Sequence, residues 1–104
     1  MDTVKYNLRY SRDFLDDMRE IVDYIALTLG NPDAAQRLLN DVHSAIVSRL
    51  NCPTAFEPYR SNAKLHCVWY RIHVRNYIVF YTVTGNVMEV HRVLYNRRNW
   101  RSMF

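Results

Sequence analysis

Three short stretches in the second half of the chain hold the side chains that could do chemistry. Trp69, Arg71 and His73 alternate in one, Glu89 and His91 fall in another, and Tyr95, Arg97, Arg98 and Arg101 lie near the end. Imidazoles titrate near neutral pH, so His73 and His91 could serve as base and acid, with Glu89 as a second candidate base. Arg71, Arg97 and Arg98 could bind a phosphate, Lys64 and Arg101 extend the basic surface, and Trp69, Phe80 or Tyr95 could stack on a base. These types suit metal-free cleavage of RNA. That reaction needs a base for the 2′-hydroxyl, an acid for the leaving 5′-oxygen and cations on the charge that builds between them. The plainer alternative makes His73 and His91 polar residues of a half-exposed sheet.

The charge is divided in the same sense. Residues 1–51 hold six Lys/Arg and eight Asp/Glu, whereas residues 52–104 hold eight Lys/Arg against Glu57 and Glu89 alone. A basic half of this kind points to an anionic partner, phosphate first. At 104 residues the chain is expected to form a single domain spanning 1–104. Cys52 and Cys67 show no metal-ligand or redox spacing, and no metal or cofactor is implied. No apolar run reaches the roughly 20 residues of a membrane span, and the first residues lack a secretory core, so a cytoplasmic protein is expected.

The elements that must position these residues follow from periodicity. Lys5 to Tyr10 is short enough for a strand. Ser11 can cap a helix whose apolar stripe is Phe14, Met18, Ile21, Val22, Ile25 and Leu29. Asp13, Asp16, Asp17, Glu20 and Asp23 then form a solvated face that also complements the helix dipole. Gly30-Asn31-Pro32 ends this helix and starts a second, with Ala35, Leu38, Leu39, Val42, Ile46 and Leu50 on one face. So short a link predicts an antiparallel helical hairpin. Thr54 to Ala63 reads as a loop. Cys67–Val74, Tyr77–Val83 and Val87–Tyr95 read as strands, joined at Arg75-Asn76 and at Gly85-Asn86.

Two-residue turns at both places would sort the side chains onto two faces. Val68, Tyr70, Ile72, Val74, Tyr77, Val79, Tyr81, Val83, Met88, Val90 and Leu94 would form a core under the hairpin. Arg92 would be its one misfit, pairing with an acid of the first helix. Trp69, Arg71, His73, Ile78, Phe80, Thr82, Glu89, His91, Val93 and Tyr95 would form an open face. A bulge in either hairpin would reverse part of this sorting.

The order strand, helical hairpin, three antiparallel strands and basic tail resembles the RelE/ParE toxin superfamily. Tyr24-Ile25-Ala26 leading into Asn31-Pro32-Asp33-Ala34-Ala35 carries the resemblance, as does Tyr77-Ile78-Val79-Phe80-Tyr81. The ending Arg92-Val93-Leu94-Tyr95-Asn96-Arg97-Arg98 completes it. The resemblance implies an α+β fold, with an N-terminal strand and a helical hairpin packed on a mainly antiparallel sheet. It also implies the toxin of a type II toxin–antitoxin pair, bound by a cognate antitoxin. An acidic or hydrophobic antitoxin segment would cover the Arg71, Arg97 and Arg98 surface.

RelE-like members cut mRNA on the ribosome without a metal, whereas ParE-like members poison DNA gyrase. The expectation is ribosome-dependent mRNA cleavage, with the gyrase reading as the alternative. Arg71, His73, His91, Tyr95 and Arg97 are then the catalytic set, with Lys64, Trp69, Arg98 and Arg101 binding RNA phosphate or base. Several relatives carry His where this chain has Tyr95. A third reading, a non-toxic nucleic-acid-binding module, shares the charge pattern but not the resemblance.

Overall fold

The computed structural model describes residues 5–62 and 67–96. Strand β1 (Asn7–Tyr10) leads to α1 (Arg12–Asp23), a π-helical turn (Tyr24–Thr28) and α2 (Pro32–Arg49). Four strands follow: β2 (Arg60–Asn62), β3 (Cys67–Val74), β4 (Tyr77–Thr84) and β5 (Val87–Tyr95). They make one five-stranded sheet in the order β1-β5-β4-β3-β2, in which β1 runs parallel to β5 and every other pair is antiparallel. The fold is therefore α+β, with a helical hairpin over a mixed sheet. β2 falls inside the stretch expected to be loop; three residues are too few to show a period.

The helices begin where their caps require. The Ser11 hydroxyl accepts from the Phe14 N–H at 3.1 Å and donates to the His91 carbonyl at 2.8 Å, so one side chain starts α1 and ties it to β5. Asn31 caps α2 by accepting from the Ala34 N–H, with Pro32 at the first helical position. Phe14, Met18, Leu38, Val42 and Ile46 pack on Tyr70, Ile72, Val74, Val79, Tyr81, Met88, Val90 and Val93 to form the main core. Burying each of the larger of these side chains contributes about 1.5–3 kcal/mol.

The first helix departs from its expected stripe at its end. The Leu29 N–H bonds the Tyr24 carbonyl and the Asn31 N–H bonds the Ile25 carbonyl, both at 3.0 Å, so the last turn is widened. The widening carries Leu29 off the stripe and leaves Tyr24, Leu27 and Leu29 exposed. Leu39 of α2 is likewise on the surface, unlike Leu38 beside it.

Both hairpin turns have two residues, as expected, with Val74 opposite Tyr77 and Thr84 opposite Val87. Gly85 supplies the positive φ that such a turn needs, and Arg75 takes the corresponding place at φ 54°. A non-glycine residue there costs about 1 kcal/mol, and Arg75 is anchored to α2 by donating to Asp41 at 2.8 Å.

A bulge in β5 changes the sorting of faces. Tyr81 pairs with Val90 while Phe80 pairs with Arg92, so His91 is an extra residue. Beyond it the alternation is reversed. Val93 enters the main core. Leu94 joins Ile78, Phe80, Tyr59 and Trp69 in a small second cluster on the opposite face. Arg92, now opposite Phe80, makes its expected bond to the first helix. It donates to Asp17 through Nε at 2.7 Å and Nη2 at 3.0 Å. The face expected to be open is thus partly closed, with Ile78, Phe80 and Thr82 buried.

Candidate functional site

The extra residue of the bulge sits in a polar cluster. His91 Nε2 lies 2.7 Å from the Thr82 hydroxyl, its ring is 4.6 Å from that of Trp69, and Glu89 stands 4.0 Å away. Burial lowers the His91 pKa below its usual value, and the Glu89 and Asp13 carboxylates only partly oppose this. The imidazole is therefore neutral at pH 7.

His73 is elsewhere on the same face. It is exposed, and it lies four residues along β3 from Trp69, which is roughly 13 Å at the rise of a strand. The two imidazoles do not converge on one point. Tyr95, expected on the face of His73 and His91, is placed by the bulge opposite Tyr77, with ring centroids 5.5 Å apart and planes at 78°. It lines a groove on the helix side. Trp69 and Arg71 keep the face expected of them. Arg97, Arg98, Arg101 and Lys64 lie outside the described residues.

Among the described residues, a concave surface lies at each edge of the sheet. The first opens where β1 stops pairing with β5 at Val90. It is a groove of about 900 Å³ with Ile21, Ile25, Leu29, Val93 and Tyr95 in its walls and Asp17 and Glu20 among its polar residues. Asp17, counted with the solvated acids of α1 by sequence, is mostly buried here. Besides Arg92 it accepts the Val93 N–H at 3.2 Å, closing part of the sheet edge. Arg92 in turn has its pKa raised, first by the Asp17 hydrogen bonds.

The second opens where β2 stops pairing with β3 at Trp69. It is a pocket of about 400 Å³ lined by Arg49, Phe56, Glu57, Pro58, Tyr59, Arg71 and His73. Arg49, in the last turn of α2, donates through Nη1 to the Tyr81 hydroxyl at 2.9 Å and to the Arg71 carbonyl at 3.4 Å. Its guanidinium lies 3.5 Å from the centre of the Phe56 ring, and that of Arg71 lies 4.8 Å from Tyr59. The buried Tyr81 hydroxyl donates to the Pro53 carbonyl at 2.7 Å. Burial raises its pKa, and Arg49 opposes that rise. Sequence reasoning missed Arg49, because an arginine in the last turn reads as a cation on the helix dipole. The aromatic residue seven positions on, Phe56, was the available signal.

A helical hairpin packed on a mixed sheet is the fold of a small toxin of the RelE/ParE superfamily. The sequence matches the family described as "ParE toxin of type II toxin-antitoxin system, parDE" over residues 8–100, and the chain belongs to that family. Its fold is similar to that of a chain from the solved chromosomal ParDE toxin–antitoxin system of P. aeruginosa. The TM-score is 0.66 at 16% identity, covering 89% of this chain and 98% of that one. No curated protein matches the sequence. As a member of this family the chain is a toxin with a cognate antitoxin as partner.

Proposed function

We propose that this toxin acts by binding DNA gyrase and not by cutting mRNA. The observation that carries the reading is that His73, His91 and Tyr95, the groups expected to act together, lie apart, with Glu89 alone near His91 at 4.0 Å. His91 is neutral and engaged with Thr82, His73 stands two sheet rows away, and Tyr95 faces the helices. General acid–base cleavage needs both proton-transfer groups within hydrogen-bond reach of one phosphodiester. The parDE description of the family supports the same choice over the ribosome-dependent reading. A gyrase poison asks nothing of the imidazoles and needs only a surface that fits its target.

The test is a brief induction of the chain alone, following DNA synthesis, protein synthesis and mRNA integrity. DNA synthesis should fall first with an SOS response and intact mRNA, and a His73→Ala/His91→Gln double variant should inhibit growth as the parent does. An immediate fall in translation with cut mRNA would overturn the proposal, whether or not the double variant abolishes it.

The groove at the β5 edge is the surface we assign to the antitoxin. Its walls are largely apolar and Asp17 is already paired with Arg92 in the same lining, so Glu20 is the acid that favours an apolar segment carrying a basic residue. Leu29 is exposed in that wall, so Leu29→Arg should leave folding and toxicity intact while weakening neutralisation. A variant still fully neutralised by the antitoxin would move its docking surface elsewhere.

A further inference from the structure

We propose that the groove at the β5 edge seats one arginine side chain of the antitoxin, stacked on Tyr24 and Tyr77 with Glu20 as its counter-ion. The inference rests on the groove being the antitoxin's docking surface, and adds what the docked segment must carry. Glu20 and Tyr24 are four residues apart on α1. The Tyr24 N–H bonds the Glu20 carbonyl, so the two side chains leave the helix on one face. The π turn starts at Tyr24, and this pair therefore keeps the spacing of a regular helix. Tyr24 is 55% exposed and lines the groove together with Tyr77 of β4. Tyr77 is half-buried, and the Tyr95 ring braces it edge-on. Burial raises the Tyr77 pKa, and the nearby phenols of Tyr95 and Tyr24 raise it further, so its hydroxyl stays neutral. Rings from the helix and from the sheet thus meet at one groove.

The charge of the lining selects the occupant. Its charged residues are Asp17, Glu20 and Arg92, which leave one negative charge. Asp17 is occupied, accepting two hydrogen bonds from Arg92 and a third from the Val93 N–H. Glu20 is exposed, and it acts on Arg92 less than Asp17 and Asp13 do. One cation therefore neutralises the groove, and the faces of the tyrosine rings attract it through their quadrupoles. Arginine fits this place better than lysine. Its guanidinium stacks flat on a ring while donors in its own plane reach a carboxylate, and it is more weakly hydrated than an ammonium. The apolar walls on either side suit the neighbouring side chains of the same segment.

The affinity of the full chain for its cognate antitoxin is measured in toxin variants and, in parallel, with each antitoxin arginine replaced by Met. Tyr24→Leu keeps apolar surface but loses the ring, and should weaken binding roughly 2- to 30-fold. Tyr24→Phe keeps the ring and should bind as the parent does. Glu20→Gln should weaken binding and flatten its dependence on salt. One antitoxin arginine should lose most of its effect in the Tyr24→Leu background, a coupling that a merely structural role for Tyr24 would not produce. Parental affinity in Tyr24→Leu, or no arginine coupled to Tyr24, would overturn the proposal. Leu29→Arg separates the two levels of the reading. If it weakens binding while Tyr24→Leu does not, the antitoxin occupies the groove and the arginine seat alone is wrong. If neither variant weakens binding, the docking surface itself is wrong. Tyr24 is exposed, so its variants should fold as the parent does.

Discussion

The two edges of the sheet are built alike and charged oppositely. At each, a short outer strand covers half of a longer one and stops, β1 against the start of β5 and β2 against the start of β3. At each, a helix then sends one charged side chain to the uncovered half. Asp17 of α1 accepts the Val93 N–H, and Arg49 of α2 donates to the Arg71 carbonyl. An acid can close an edge only at a donor and a base only at an acceptor, so the choice of charge settles what each edge can receive next. The acidic side keeps an apolar groove suited to a protein segment. The basic side keeps two guanidinium groups each held against a ring, Arg49 on Phe56 and Arg71 on Tyr59. One topology thus gives a small domain two unlike surfaces on opposite rims of one rigid sheet.

Removing the charged cap at each edge should break the pair unequally. Asp17→Ala leaves the Arg92 guanidinium and the Val93 N–H without their shared acceptor in a mostly buried place, and should cost about 2–4 kcal/mol. Arg49→Met removes a long bond to the Arg71 carbonyl and one of the two bonds at the Tyr81 hydroxyl, which keeps Pro53. It should cost about 1 kcal/mol. Urea midpoints of the two variants decide the matter. Equal losses would mean that the edges are held by packing and that the caps are incidental.

The difference between the edges was half legible in the sequence. The acidic first helix and basic second half were visible as composition, and the helices and three long strands as period. Arg92 pairs with an acid of α1 as expected, although the bulge sets it opposite Phe80 and not in the core row where the strand pattern put it. The bulge left no such trace. One inserted residue alters no composition, and the bulged position is held by a histidine, not a glycine. Its effect is nonlocal, because it carries Val93 into the core, sends Leu94 to the second cluster and turns Tyr95 away from the imidazoles. A candidate site that depended on alternation through residue 95 therefore could not be assembled correctly from periodicity. The π turn escaped for the same reason. It widens the helix within a stretch whose apolar spacing still reads as regular, and so exposes Leu29. Arg49 escaped for another: its aromatic partner, Phe56, lies in an aperiodic loop.

The smallest effect probes the bulge that separates the two β5 halves. His91 is held at a lowered pKa by burial, so its neutral form favours the fold. That stabilisation is complete above the unfolded value of 6.5 and is lost as pH falls through the folded pKa, because the unfolded chain then binds the proton more readily. Urea midpoints should therefore drop between pH 7.5 and pH 5 by more in the parent than in His91→Gln, which keeps a polar group for Thr82 without titrating. The groups facing the imidazole sharpen the test. Thr82 and Trp69 carry no charge, while Glu89 at 4.0 Å and the more distant Asp13 favour the protonated ring. Glu89→Gln should thus steepen the acid-side loss, and His91→Gln should remove that dependence on residue 89. If Glu89→Gln steepens the loss equally in the His91→Gln background, the acid sensitivity belongs to another group.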